Sequence, residues 1–174
     1  MQVYILKESN SDSRVAASPD TVKKMKDWGL NVVIQDNAGL NSNFSNEEYI
    51  KSGAIISNAI TDISKSDLIL KINKPNDDEI ALMNEGSVLI ASLDPYNNSE
   101  TLNKLKDKGV ISFAMELMPR ITRAQSMDIL SSQSNLAGYK AVIDATYLFN
   151  KAMPMMMTAA GTIAPAKVMV FGAG

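Results

Sequence analysis

Residues 1–34 read MQVYILKESNSDSRVAASPDTVKKMKDWGLNVVI, and this stretch decides the fold class. Val3–Leu6 is a short apolar run with β-branched and aromatic residues, which is typical of a strand. Ser18-Pro19 then supplies a helix N-cap and a proline at the first helical position. The predicted helix ends at Gly29, which suits a left-handed C-terminal cap, and Val32–Ile34 is a second strand. The stretch therefore predicts a strand–helix–strand unit with parallel strands.

The same alternation continues to about residue 115. Ser45 and Glu48 have the spacing of a capping box, and three acidic residues from Asp77 place negative charge at another helix N-terminus. Further strands or helices of this region are predicted at 54–56, 68–72, 88–91, 99–108 and 110–113. Because each connection holds a helix and is too long for a hairpin, we expect an α/β fold with a doubly wound, mostly parallel sheet in a Rossmann-like N-terminal lobe. An α+β arrangement is the alternative.

The composition excludes several kinds of chemistry. The 174 residues include no cysteine and no histidine, and 17 basic against 19 acidic residues leave a formal charge of −2. Disulfides, thiolate or histidine metal sites and triads with a histidine base are therefore ruled out. The charge favours no nucleic-acid partner. Carboxylates, amides, hydroxyls, lysine and arginine remain, or chemistry carried by a bound cofactor, and we predict no metal site and no catalytic residue.

No targeting or membrane-spanning segment is predicted. The charges at Lys7 and Glu8 follow a short apolar run, which is not the basic-then-apolar order of a secretory signal. The longest uncharged apolar stretch, 152–166, contains two prolines and a glycine. It is shorter than the roughly 20 residues that a spanning helix needs.

The character of the sequence changes after Glu116. Residues 118–128 carry a proline, two arginines and a glutamine without helical or strand periodicity, which predicts an ordered loop. Residues 167–171 predict a final strand that runs into Gly172-Ala173-Gly174. Between them a long helix is predicted from Ser134, with an apolar face made by Leu136, Tyr139, Ile143 and Tyr147.

The terminal glycines match the first half of a dinucleotide fingerprint, which needs a strand, G-x-G-x-x-G and a helix. A flexible glycine tail is the alternative. A buried parallel strand without a following helix would leave apolar surface uncovered, so we expect the natural protein to continue beyond Gly174. The predicted division is an N-terminal α/β domain at 1–130, a connecting helix and linker at 131–164, and the first strand of a truncated nucleotide-binding Rossmann lobe at 165–174.

Several segments of the chain resemble one protein family. The most specific is MPRITRAQSMD at 118–128, continuing as LSSQSNLAGY at 130–139. The others are KE at 7–8, SRVAASP at 13–19, LKINKP at 70–75, DDEI at 77–80 and PAKVMV at 165–170. In this order, and over the whole chain, they resemble the α subunit of the proton-translocating NAD(P) transhydrogenases, in the alanine dehydrogenase/transhydrogenase family.

The resemblance implies an NAD(H)-binding subunit that exchanges hydride with NADP(H) on a partner domain, coupled to proton translocation. The implied partners are the transhydrogenase β subunit with its NADP-binding domain, a membrane domain and a second copy in a homodimer. The implied location is the cytoplasmic side of the inner membrane, where the chain is peripheral. Most pyrophosphate and adenosine contacts would come from beyond Gly174, so we expect a chain that stops there to bind NADH weakly or not at all.

The resemblance also implies which residues contact NAD: Arg120, Gln125, Asp128, Ser131, Gly172 and Gly174. Arg120 would donate to the carboxamide oxygen, and Asp128 would accept from its nitrogen. Ser131 would do either, and Gln125 would reach toward the second nucleotide. The alternative is that Arg120 and Asp128 form a surface pair and that Gln125 is merely solvated.

Alanine dehydrogenase is the nearest competing interpretation. In that enzyme the residues matching Arg14 and Lys71 bind the substrate carboxylate and carbonyl, and a histidine acts as acid and base where this chain has Asp94. The absence of histidine favours transhydrogenation, which moves only hydride. We therefore expect Arg14 and Lys71 to be structural, with a helix-cap contact for Arg14 and a solvated edge for Lys71. A binding module without catalysis is a third interpretation.

Overall fold

A computed structural model of the chain describes residues 1–9 and 11–172. It divides into two compact units between Asp128 and Ile129. The strands of the first unit are β1 (Gln2–Ile5), β2 (Asn31–Gln35), β3 (Ile55–Ser57), β4 (Leu68–Leu70), β5 (Val88–Ala91) and β6 (Ile111–Ala114). Its helices are α1 (Pro19–Asp27), α2 (Asn46–Lys51), α3 (Asp77–Leu82) and α4 (Ser99–Asp107).

The six strands form one sheet in the order β3-β2-β1-β4-β5-β6. Every neighbouring pair is parallel, and the central strand β1 places Ile5 opposite Ile34 on one side and Leu70 on the other. The strand order reverses direction at β1, which is the defining feature of a doubly wound sheet. The predicted parallel α/β fold is therefore confirmed, and the α+β alternative is wrong.

Side chains of successive strand residues point to opposite faces, and two core clusters result. On one face, α1 and α2 contribute Val22 and Tyr49 to a cluster with Val3, Ile5, Val32 and Ile34. On the other face, α3 and α4 contribute Ile80 and Leu105 to a cluster with Tyr4, Leu6, Ile69 and Leu89. The first two helices and the next two therefore cover different faces of the sheet.

The helices begin where capping residues predict. The Ser18 side chain accepts from the Thr21 amide at 3.3 Å with Pro19 in the first turn of α1. The predicted capping box of Ser45 and Glu48 is formed at α2. Gly29 after α1 has φ +81°, as a left-handed C-terminal cap requires.

The second unit contains α5 (Ile129–Leu148) and an antiparallel ribbon of β7 (Met156–Thr158) and β8 (Gly161–Ile163). The predicted long helix is present and begins five residues before Ser134. Its predicted apolar face is exposed, with Tyr139 at 70% and Tyr147 at 86%. No helix within the described residues is both long and apolar enough to cross a bilayer.

The structure differs from the sequence prediction at residues 167–171. These residues carry no regular secondary structure, and Val168, Met169 and Val170 are exposed. A parallel strand exists only through hydrogen bonds to neighbouring strands. The described region of the second unit offers only the β7–β8 ribbon, so the apolar sequence alone does not produce a strand there.

Candidate functional site

Polar side chains follow four strands of the sheet at their carboxyl ends. Glu8 comes after β1, Lys71 directly after β4, Asp94 after β5 and Glu116 after β6. Doubly wound folds bind ligands at this edge, in the crevice where the strand order reverses. Here that crevice lies between the ends of β1 and β4.

Glu8 fills the crevice with hydrogen bonds to the chain after β4. It is 6% exposed, and its carboxylate accepts from the Ile72 amide at 2.7 Å and the Asn73 amide at 3.3 Å. The Asn73 side-chain amide donates to the same carboxylate at 2.9 Å. Glu8 therefore joins the ends of the two central strands, and its charge is balanced by N–H donors.

Asn73 extends this network to an ion pair. Its side-chain amide donates to Asp12 Oδ2 at 2.8 Å, and Arg14 binds the same oxygen at 2.6 Å. The hydrogen bond from Arg14 holds the pKa of Asp12 well below its usual range, and the bond to Asp12 raises the pKa of Arg14. The structure thus shows Arg14 in an ion pair with Asp12, a contact that the sequence does not suggest.

Lys71 is also placed differently from its prediction. It is 9% exposed rather than solvated, and its Nζ donates to the two carboxylate oxygens of Glu79 at 2.6 and 2.8 Å. Glu79 Oε2 also accepts from the Asn76 amide at 2.8 Å, which completes the capping box of α3. Lys71 is therefore held in a buried ion pair that begins a helix.

Glu116 ties the end of β6 to the turn that follows β5. Its Oε1 accepts from the Leu93 amide at 2.9 Å and from the Asp94 amide. Its Oε2 is buried and has no hydrogen-bond partner among the described residues. Asp94 has φ +45°, in the left-handed region that non-glycine residues rarely adopt.

The segment Met118–Asp128 presents Arg120 and Gln125 to solvent and leaves Asp128 half-buried. One buried side chain, Ala124 at 4% exposure, anchors it. The predicted ordered loop contains a 3₁₀ turn at Thr122–Met127, and the Asp128 amide donates to the Gln125 carbonyl at 3.3 Å. Three of the predicted cofactor-binding residues therefore lie on one short, anchored segment.

The other three predicted residues belong to the second unit of the chain. Ser131 is exposed in the first turn of α5. Gly172 is exposed with φ +85°, a conformation that favours glycine. Gly174 lies outside the described residues.

Sequence reasoning misses most of the buried polar network. It uses Glu8 as a charge near the N-terminus and Glu79 as an acidic residue at a helix N-terminus. It includes Asn73 only in a matching segment, and Glu116 only as the point where the sequence changes character. A signal is available, because polar residues that follow apolar strands directly are placed at the ligand-binding edge of such sheets. Their bonding partners come from distant regions of the chain and cannot be deduced from spacing.

A doubly wound parallel sheet with a polar carboxyl edge defines an α/β protein of the Rossmann-like class. Comparison with known proteins specifies it further. Residues 4–137 match the family model "Alanine dehydrogenase/PNT, N-terminal domain", and residues 141–174 match "Alanine dehydrogenase/PNT, C-terminal domain". The chain therefore belongs to the alanine dehydrogenase/PNT family.

Individual relatives confirm the resemblance to transhydrogenases. An NAD(P) transhydrogenase subunit alpha protein of Rhodospirillum rubrum is 46% identical over 181 residues, which cover 100% of this chain and 47% of that protein. A crystal structure of transhydrogenase from Sinorhizobium meliloti matches with a TM-score of 0.92 and 50% identity, covering 95% of this chain and 50% of that one. Alanine dehydrogenase 1 of Staphylococcus aureus is more distant, at 29% identity over 84% of this chain and 39% of that protein. The chain thus spans about half the length of the transhydrogenase relatives named here.

Proposed function

We propose that the chain belongs to an NAD(H)-binding α subunit of a proton-translocating NAD(P) transhydrogenase. The observation that carries the proposal is the segment Met118–Asp128, where a buried Ala124 anchors the exposed polar side chains of Arg120 and Gln125. Such a segment can bind and orient a polar ring without acting as acid, base or nucleophile. Transhydrogenation requires that the nicotinamide ring be held in position, and it requires no proton transfer at the ring.

The donor set fits a nicotinamide carboxamide, which offers one acceptor oxygen and one donor nitrogen. Arg120 is a donor only, Asp128 accepts when ionised, and Ser131 can do either. Gln125 would face the second nucleotide, and Gly172 with Gly174 would let the backbone approach the pyrophosphate. When bound, the nicotinamide supplies or receives the hydride, while these residues hold the ring and exclude water.

The wider assembly belongs to the same proposal. NADP(H) would be held on a domain of the β subunit, proton movement would take place in a membrane domain, and two copies of the α subunit would form a homodimer. The chain would lie on the cytoplasmic side of the inner membrane, attached through those partners. Residues 1–130 would be the N-terminal domain, 131–164 the connecting helix and linker, and 165–174 the start of the nucleotide-binding domain.

The structure gives no support to alanine dehydrogenase activity as the alternative. Lys71, which would have to meet a substrate carbonyl, is bonded to the buried carboxylate of Glu79. Arg14, which would have to meet a substrate carboxylate, is bonded to Asp12. By the resemblance, Asp94 takes the place of the histidine that acts as acid and base in that enzyme, so a proton carrier at this position would have to be another residue type.

The test uses the natural protein that contains this chain, assembled with its partner subunit and supplied with NADH and oxidised NADP. We expect Gln125→Ala and Asp128→Ala each to lower the rate of hydride exchange by about 10–100-fold, because the ring loses its orientation. Ser126→Ala, an exposed change in the same segment, is the matched control and should leave the rate nearly unchanged.

Unchanged exchange in both variants would overturn the proposed role of the segment. Oxidation of NADH that depends on pyruvate and ammonia would instead establish the dehydrogenase. Absence of both activities in the unaltered protein would favour a binding module without catalysis.

A further inference from the structure

Glu116 is not among the residues proposed to bind NAD, yet its carboxylate joins two loops at the carboxyl edge of the sheet. It lies in the 3₁₀ turn Met115–Leu117, directly after β6, and its Oε1 accepts from two successive backbone amides, those of Leu93 and Asp94. Those amides belong to the turn that follows β5, the parallel neighbour of β6. One carboxylate oxygen therefore joins the loops that leave two adjacent strands.

The turn that Glu116 holds is conformationally unusual. Asp94 has φ +45°, and its carbonyl accepts from the amides of Asn97 and Asn98 at 3.1 Å each. A non-glycine residue in this region costs free energy and persists where the surroundings fix it. The bonds from the Leu93 and Asp94 amides to Glu116 supply such a fixation, because they attach two successive residues of the turn to one acceptor oxygen on the neighbouring loop.

The backbone between Glu116 and Arg120 has little conformational freedom. The Met118 amide donates to the Met115 carbonyl at 3.2 Å, which closes the turn around Glu116. Pro119 restricts its own φ, and the Ile121 amide donates to the Pro119 carbonyl at 2.9 Å. The backbone at Arg120 is therefore placed by the same short stretch that Glu116 attaches to the β5 turn.

We propose that Glu116 is a positioning residue. Its bonds to the Leu93 and Asp94 amides, which we call the lock, attach the turn after β5 to the start of the segment Met118–Asp128 and so fix the backbone position of Arg120. The proposal rests on the proposed function for its catalytic consequence, and on the contacts of Glu116 alone for the lock itself. The essential element is an acceptor oxygen that reaches both amides. Negative charge is not essential, because Oε2 has no partner among the described residues.

The first experiment measures the lock without reference to activity. Amide hydrogen exchange at Leu93 and Asp94 is followed in the 174-residue chain by NMR. We expect protection in the unaltered chain, a loss of at least tenfold in Glu116→Ala, and protection within threefold of the unaltered value in Glu116→Gln, whose carbonyl keeps the acceptor. Glu47→Ala, which removes an exposed carboxylate from α2, is the matched control.

The second experiment measures hydride exchange by the natural protein with its partner subunit, NADH and oxidised NADP. We expect Glu116→Ala to lower kcat at least tenfold while KM for NADH changes by less than threefold, and Glu116→Gln to restore kcat to within threefold. Glu116→Asp keeps the charge but shortens the reach by one methylene, so it should be impaired more than Glu116→Gln. This comparison decides the question if Glu116→Ala does not fold.

The possible outcomes separate the two proposals. Loss of amide protection without loss of kcat would overturn the positioning role, as would Glu116→Asp being more active than Glu116→Gln. Unchanged protection in Glu116→Ala would overturn the lock itself. Absence of hydride exchange between the two nucleotides by the unaltered protein would overturn the proposed function, and the positioning role with it. The amide hydrogen exchange measurement would still decide whether the lock exists.

Discussion

Some charged side chains of the polar network are almost completely buried, and the Lys71–Glu79 pair shows this most directly. Their side chains are 7% and 5% exposed. Removing one member of a buried pair leaves the other without its partner, which costs about 3–5 kcal/mol. We expect Lys71→Met to lower the free energy of unfolding by this amount, as measured by urea denaturation.

Two further variants test the cause of that loss. Glu79→Gln in the Lys71→Met background removes the stranded charge and keeps an acceptor for the Asn76 amide, so it should recover some of the lost stability. Lys104→Met removes a lysine from exposed ion pairs with Asp77 and Glu100 and should change stability little. Equal losses in the free energy of unfolding for Lys71→Met and Lys104→Met would show that burial of the pair does not determine the cost.

Asp12 makes stability depend on pH with a defined sign. Arg14 lowers the pKa of Asp12 in the folded chain below the value of about 3.9 expected in the unfolded one. The ion pair therefore stabilises the fold above about pH 4, and this contribution is lost as the pH falls further. Since the Arg14 side chain is 44% exposed, solvent screens the pair.

We expect Asp12→Asn to cost about 1 kcal/mol or less at pH 7. The difference from the unaltered chain should be the same at pH 5 and should narrow at pH 3, where the unaltered chain also loses the contribution. Denaturation curves at these three pH values measure it, with Asp107→Asn as a control for loss of one exposed carboxylate. A difference that widened on acidification would show the opposite sign.

The sequence predicts only some of the individual residues of the candidate site. Arg120, Gln125 and Asp128 can be proposed from sequence because they belong to one continuous motif, and their role in binding stays a prediction. Sequence reasoning assigns Lys71 to a solvated edge because its partner, Glu79, lies eight residues away on a helix whose packing the sequence does not state. Contacts such as Glu8 with Asn73, 65 residues apart, depend on the folded sheet.

Among the secondary-structure elements, α2 shows how one helix is attached to the segment before α1 and packed against the loop before itself. Tyr49 of α2 is fully buried, and its hydroxyl donates to the Ala17 carbonyl at 2.8 Å. Burial raises the pKa of Tyr49 to about 12. Gly39, in the preceding loop, lies so close that an added Cβ would be 2.6 Å from the Tyr49 ring and hydroxyl.

We expect Gly39→Ala to cost about 1–3 kcal/mol, because a buried ring has no room to yield. Gly138→Ala is the matched control: its Cβ would meet nothing within 4 Å in the middle of α5, where alanine is the better helix former. Thermal unfolding of both variants measures the contrast. Equal melting temperatures would show that the loop moves away from Tyr49 at no cost.

Elements with local start and stop signals are the predictable ones. The caps at Ser18 and Ser45 depend on neighbours within three residues, so the sequence contains all the necessary information. The β7–β8 ribbon escapes prediction because Pro154 and Gly161 have the character of interruptions, although Gly161, at φ +132°, opens β8. The segment 167–171 has strand composition, but a strand also needs a neighbour, and composition does not supply one.

Among the residues that the structure describes, the buried apolar core is confined to the first unit. Every buried apolar side chain among the described residues lies between Val3 and Ala124. A chain of residues 1–128, which contains all of these side chains, should therefore unfold cooperatively on its own. Urea denaturation of both chains tests this, and loss of the transition on truncation would contradict it.

The central position of β1 also shapes how the protein can be made. β1 is synthesised before the other five strands of this sheet, yet Ile5 must pair with Leu70, 65 residues later in synthesis. At a translation rate of about 5–20 residues per second, roughly 3–13 s pass before β4, the second neighbour of β1, has been synthesised. During that interval Val3, Tyr4, Ile5 and Leu6, all fully buried in the finished protein, are available to other nascent chains and to chaperones. The central strand of the finished sheet is thus a segment that needs protection while the protein is being translated.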